Sequence, residues 1–171
     1  YVYTLCQVDS YICAHAIDSL DWGTDDHTEE LAFVAFFHDI VLIRDDLAKI
    51  NTQEQLDEAD LEPREKEIVE SHASMVCELV KDYPAIPIGC EQIIIQHHGE
   101  TRGSGFTTKY GSTISPLAII FIVCEAMARL ILEAADENTK FVKDEAMQRL
   151  RMRFERSKYQ NVINTFETLD I

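Results

Sequence analysis

Two histidines in immediate succession, His97 and His98, run into the turn Gly99-Glu100-Thr101-Arg102-Gly103-Ser104-Gly105-Phe106. Neighbouring residues on a helix project about 100° apart, so paired imidazoles converge on one ligand only where a helix ends. A metal ion or a phosphate is the kind of ligand such a pair would share, and the Gly103-Ser104-Gly105 turn lets backbone approach something small. His38 and Asp39 form a second adjacent pair, and His72 stands on an apolar stripe. Glu125 is the only charged residue between Pro116 and Ala128. A lone carboxylate in a buried helix is costly unless it is paired or binds a cation. Mixed histidine and carboxylate sets suit iron, manganese or zinc, and a bridging aspartate is the usual way for such a set to make a dinuclear centre. Plainer readings exist for each residue alone. One histidine on an apolar face is more often a hydrogen-bonded core residue, and Glu125 has Arg129 one helical turn on as an ion-pair partner. His15 and His27 take that plainer role.

The elements that must position these residues are helical nearly throughout. Leu31, Val34, Ala35, His38, Val41 and Leu42 fall on one 3.6-residue stripe; Ile68, Val69, His72, Met75, Val76, Leu79 and Val80 make a second. Cys90, Ile93, Ile94 and His97 predict a third, short helix after the Pro84 to Pro87 break. Leu117 to Leu132 is apolar on almost every side, which predicts a central buried helix with Ser115 as N-cap and Pro116 at its first position. Two amphipathic helices follow, around Asp144 to Phe154 and Tyr159 to Leu169. No alternating strand pattern and no internal repeat occurs, so the expected fold is all-α. Four helices each aim an imidazole or carboxylate inward.

Composition sets the frame. A chain of 171 residues that is 46% hydrophobic can bury one sizeable core, so a single domain, 1–171, is expected. It starts at Tyr1 inside a helical pattern without an initiator methionine, which reads as the C-terminal module of a longer protein. No stretch approaches the ~18 apolar residues needed to span a bilayer, and no signal-peptide pattern is present, so no membrane insertion is expected. Five cysteines without a CxxC pair fit free, mostly buried thiols in a reducing cytoplasm. The net charge of −16 argues against a nucleic acid polymer as partner, whereas a small anion can bind where cations supply a local positive field. The acidic residues from Asp21 to Glu30 and from Gln53 to Glu67 read as solvated loops and helix starts.

The run Ala35-Phe36-Phe37-His38-Asp39-Ile40 resembles the signature of the HD superfamily of metal-dependent phosphohydrolases. The HH…GSGF segment resembles the HD-GYP branch, hydrolases of the bacterial messenger cyclic di-GMP. The similarity runs over nearly the whole chain, including Ile114 to Ala118 and the closing Tyr159 to Phe166. It implies an HD-domain helical bundle with HD-GYP-type C-terminal helices, and a cytoplasmic signalling phosphodiesterase. It also implies two transition-metal ions, iron first and manganese second. By the resemblance Asp39 bridges the ions and is the catalytic residue; His72, His97 and His98 hold one ion, and His38 and Glu125 the other. Arg102, Gly103, Ser104, Gly105 and Phe106 would line the substrate.

The chain also departs from that pattern. Gly99 follows the two histidines where the family has glutamate, and Glu100 is displaced by one. Arg102 replaces an aspartate, while Phe106 and Thr107 replace the tyrosine and proline of the GYP motif, removing a phenol that would contact substrate. Leu42 replaces the lysine that follows the HD pair. Cys6 and Val2 stand where the family has an upstream histidine and glutamate, which implies two metals rather than three. Three readings follow: a cyclic di-GMP phosphodiesterase of weak activity, a catalytically silent metal-bearing sensor or protein-interaction module with signalling partners, and a hydrolase of another nucleotide.

Overall fold

The computed structural model describes residues 1–107, 110 and 113–171. Among them every regular element is helical, so the fold is all-α. Helix α1 (Val2–Asp18) buries Leu5, Cys6, Asp9, Ile12, Cys13, Ala16 and Ile17 at helical spacing. Helix α2 (Asp25–Phe37) starts at Thr24, whose side chain accepts the His27 N–H, and Asp25 and Asp26 suit the positive end of the helix dipole. The acidic stretch is thus a helix start, as its composition predicts.

Two short helices, α3 (Asp45–Ala48) and α4 (Gln53–Glu58), lead to α5 (Pro63–Val80). Glu62 and Glu65 cap α5 reciprocally, with Pro63 in its first turn. Helix α6 (Cys90–Gln96) is entered through Gly89. Helix α7 (Pro116–Asp136) has the predicted cap, the Ser115 hydroxyl accepting the Ala118 N–H. It is buried without interruption from Ala118 to Arg129, and α1, α2, α6, α8 (Lys143–Arg153) and α9 (Ser157–Thr165) pack against it. A single 3-10 turn, Phe166–Thr168, follows α9.

The main core surrounds α7. A second apolar cluster, Leu42, Leu47, Ala48, Ile50, Leu56, Val69 and Phe106, lies between α5 and the segment after α2. The stripe predicted for α5 is narrower than its sequence implies: Met75 is 40% and Leu79 60% exposed, because α5 packs mainly on short α6. Cys6, Cys13, Cys90 and Cys124 are buried and Cys77 is partly buried, all as free thiols. No helix among the described residues is long and apolar enough to cross a membrane.

Candidate metal centre

Both adjacent pairs stand where a helix stops. The apolar stripe of α2 continues in sequence to Leu42, but the helix ends at Phe37. Beyond it the chain turns tightly, Ile40 N–H bonding to Phe37 O at 3.1 Å and Leu42 N–H to Asp39 O at 2.8 Å. At this helix end both side chains face inward, His38 and Asp39 being buried. Helix α6 ends at Gln96, and Gly99 N–H closes a turn on Gln96 O at 2.7 Å. Gly99 sits at φ 78°, and a Cβ there would lie 2.8 Å from the Tyr110 ring, so both conformation and space call for glycine.

Six side chains meet. The Nε2 of His72 is 3.0 Å from that of His97 and 3.0 Å from that of His98, and 3.4 Å from Asp39 Oδ1. On the other side of Asp39, His38 Nε2 lies 3.4 Å from Oδ2 and 3.7 Å from Glu125 Oε1. Two ligand sets result, Asp39 with His72, His97 and His98, and His38 with Asp39 and Glu125; within each, the ligand atoms lie within 4.8 Å of one another. Asp39 belongs to both. All of the candidate metal ligands proposed from sequence are brought together.

The tautomers are set by the backbone. Nδ1 of His38 faces Val34 O at 3.1 Å, that of His72 faces Val69 O at 2.5 Å, and that of His97 faces Ile94 O at 2.6 Å. A carbonyl only accepts, so each Nδ1 carries a proton; neutral His72 and His97 turn an Nε2 lone pair toward the centre, whereas His38, charged beside Asp39 and Glu125, must give up its Nε2 proton before it can bind a metal. Lone pairs facing each other at 3.0 Å repel unless a cation lies among them. This is the outer-shell arrangement that orients metal-ligating histidines. The donor set therefore fits a divalent transition metal.

The two halves differ in charge. Burial depresses the imidazole pKa values of His72 and His98, and burial with the neighbouring His72 brings His97 to about 3, so this half is neutral at pH 7. In the other half burial disfavours charge on His38, but Asp39 and Glu125 outweigh it and raise the imidazole well above its ordinary range. Burial likewise opposes ionisation of Asp39 and Glu125, yet His38, His72 and Arg129 hold Asp39 below the usual carboxylate range, and Arg129 and His38 do the same for Glu125.

Arg129 completes that half. Its Nε and Nη2 reach Glu125 Oε1 at 2.8 and 2.6 Å, Nη2 reaches Asp39 Oδ2 at 3.2 Å, and Nη1 donates to Ala48 O at 2.8 Å. The ion pair with Glu125 was visible in the i,i+4 spacing; the reach to Asp39, 90 residues away, was not. Asp9 was missed altogether. It lies fully buried on α1 with neither carboxylate oxygen hydrogen-bonded, and burial and Glu125 push its pKa well up. Its sequence signal is an acidic residue at helical spacing with Leu5, Ile12 and Cys13.

The glycine turn is fastened to α5: Ser74 Oγ donates to Gly103 O at 2.8 Å, and Gly105 N–H to Glu70 O at 2.8 Å. Gly103 needs its positive φ of 67°, for a Cβ would press on Ser74 Oγ at 2.9 Å. The expected substrate residues separate. Phe106 is buried with its ring centroid 4.4 Å from that of His98, whereas Arg102 and Ser104 are exposed and Gly103 faces α5. A narrow gap lined by His97, His98, Glu125, Tyr110, Arg129 and Arg153 leads outward from the centre. His15 bonds Thr165 O at 2.9 Å and His27 packs edge-on against Trp22, both away from it. Thr108, Lys109, Gly111 and Ser112 lie outside the described residues.

Comparison with protein-family models, with curated proteins and with solved structures finds no match to this chain.

Proposed function

We propose that the chain is a metal-dependent phosphodiesterase of the HD-GYP type acting on cyclic di-GMP. The observation that carries the metal dependence is the convergence of the Nε2 atoms of His72, His97 and His98 with Asp39 Oδ1, the first two imidazoles fixed by backbone acceptors on Nδ1. The HD and HH…GSGF motifs support the substrate. His72, His97 and His98 would hold one ion and His38 and Glu125 a second, with Asp39 common to both, iron being preferred and manganese second. Bound ions supply a water of depressed pKa as nucleophile and neutralise charge on the phosphoryl group. The protein's own part is positioning. Backbone carbonyls orient the imidazoles of His38, His72 and His97, and Arg129 fixes Asp39 and Glu125.

A second reading, a catalytically silent metal-bearing sensor or interaction module, is favoured by Phe106 and Leu42. Both belong to the second apolar cluster and, as hydrocarbon side chains, offer no polar contact to a substrate. Metal analysis with a turnover assay separates the readings. The phosphodiesterase yields linear dinucleotide from cyclic di-GMP, stops on chelation and resumes with iron or manganese. Metal-loaded protein that binds without cleaving supports the sensor, and protein with no affinity for metal overturns both.

A further inference from the structure

Beside the centre lies a cavity of about 520 Å³ between the segment joining α3 to α4, α7 and α8. Its volume is in the range of small-molecule sites, about 300–1,000 Å³. In a chain with a net charge of −16, four cations, Lys49, Arg129, Arg149 and Arg153, line this one cavity together with three carboxylates, Glu133, Asp136 and Glu137. Three of the cations are already engaged. Lys49 pairs with Asp136 at 2.5 Å, Arg149 with Glu133 at 3.3 Å, and Arg129 with Glu125.

Arg153 differs. No carboxylate pairs with it among the described residues. Its Nη2 donates to the Tyr110 hydroxyl at 2.8 Å, and its guanidinium lies over the Phe154 ring at 5.1 Å and the Tyr110 ring at 5.9 Å. A guanidinium steadied by aromatic faces keeps most of its donor fork for an incoming anion. Arg153 also lines both the cavity and the narrow gap in which His97, His98 and Glu125 are found. Asn51, Ala126 and Arg129 line both as well, but of the two shared cations Arg153 is the one with no carboxylate partner among the described residues.

We propose that Arg153, with the Tyr110 hydroxyl beside it, is the phosphate-binding arm of this site, and that the cavity takes the nucleoside part of the same ligand. Asn51, Thr52 and Gln55 line the cavity and supply amide and hydroxyl groups for base or sugar edges. The inference rests on the proposed function only in taking the metal centre as the reacting end; it assigns the groups that hold the rest of a phosphate-bearing substrate.

The test is calorimetric binding of cyclic di-GMP and of 5′-GMP to the metal-loaded protein, with metal content measured for every variant. Arg153→Ala is expected to weaken binding about tenfold to a hundredfold at unchanged metal content, Arg153→Lys to recover part of the loss, and Tyr110→Phe to cost less. Lys140→Ala removes an exposed charge elsewhere and is expected to bind as the parent does. Unchanged binding in Arg153→Ala, or equal loss in Lys140→Ala, overturns the assignment and leaves the proposed function standing. Binding of 5′-GMP through Arg153 without binding of cyclic di-GMP keeps the arm and removes the cyclic dinucleotide. Binding of neither probe overturns both. Misfolding of Arg153→Ala is covered by Arg153→Gln, which is expected to show the same loss.

Discussion

Arg129 Nη2 stands 2.6 Å from Glu125 Oε1, and the same nitrogen is 3.2 Å from Asp39 Oδ2. A guanidinium thus sits against the two carboxylates that the second metal ion would use. The half containing His38 is neutralised from within, by Arg129 and by an imidazole of raised pKa, while the half containing His72, His97 and His98 offers neutral donors.

Metal binding is therefore expected in two unequal steps. The first ion takes the His72, His97 and His98 side tightly; the second competes with Arg129 and must release the His38 proton, so its affinity rises with pH. Titration calorimetry with manganese at pH 6.5 and 8 checks this. Two equal, pH-independent sites would refute it.

Substitutions on α7 should separate ligand from ion-pair partner. Glu125→Gln is expected to lose the second ion and keep the first. Arg129→Ala removes the competing charge and should strengthen the second site, yet destabilise the metal-stripped protein by about 3–5 kcal/mol, because Glu125 and Asp39 are left buried without their partner. Elemental analysis and urea unfolding of each variant read the two effects separately.

Asp39→Ala should remove both ions, since Asp39 is the ligand common to both sets. It should also lower the melting temperature of protein purified with metal, because the imidazoles then converge without their cation. Unchanged metal content and melting temperature would make the His38-Asp39 pair ordinary helix-end chemistry.

Stability of the chelator-stripped protein should fall with acidification. His72, His97 and His98 have depressed folded pKa values, so below about pH 6.5 the unfolded chain binds protons that the fold resists. Their stabilisation is present above that pH and is lost as pH falls toward about 3, the value for His97. Each contributes up to roughly 1.4 kcal/mol per pH unit. Asp9, whose pKa is raised, opposes with a single proton, and His38 contributes only to a decline above pH 6.5. Urea midpoints at pH 5 and 7 should therefore differ, with the lower midpoint at pH 5.

Introducing the polar residues of the HD-GYP pattern should succeed at one position only. Phe106 lies against His98, and Phe106→Tyr should retain the fold and tighten cyclic di-GMP binding. Leu42 is 2% exposed in the second apolar cluster, so Leu42→Lys would bury an ammonium group and cost more than about 2 kcal/mol. Thermal unfolding of the two single variants, with binding assays on the first, tests the contrast.

The ligand set was legible because its members break a pattern: histidines on apolar stripes, and a glutamate in a helix otherwise apolar from Pro116 to Ala128. Ser115 and Pro116 fixed the start of α7 through local chemistry. The end of α2 was not legible, because Val41 and Leu42 keep the apolar spacing after the helix has stopped; Leu42 faces the second cluster instead. Arg129 read as a local ion-pair partner because periodicity carries no information about a residue 90 positions away. Arg153 gave no signal, being one of several arginines on an exposed helix face.

The meeting of two helix ends with His72 and Glu125 also has a topological meaning. Asp39 and His72 are 33 residues apart, His72 and His97 are 25, and His98 and Glu125 are 27. Ions held there would staple four distant points of the chain and remove loop-closure freedom from the unfolded ensemble, as a set of disulfides does. A protein with five free thiols and no cross-link would thereby gain a reversible one, set by metal supply rather than by redox state. Its resistance to unfolding, and so its lifetime, would follow metal availability even where no substrate is turned over.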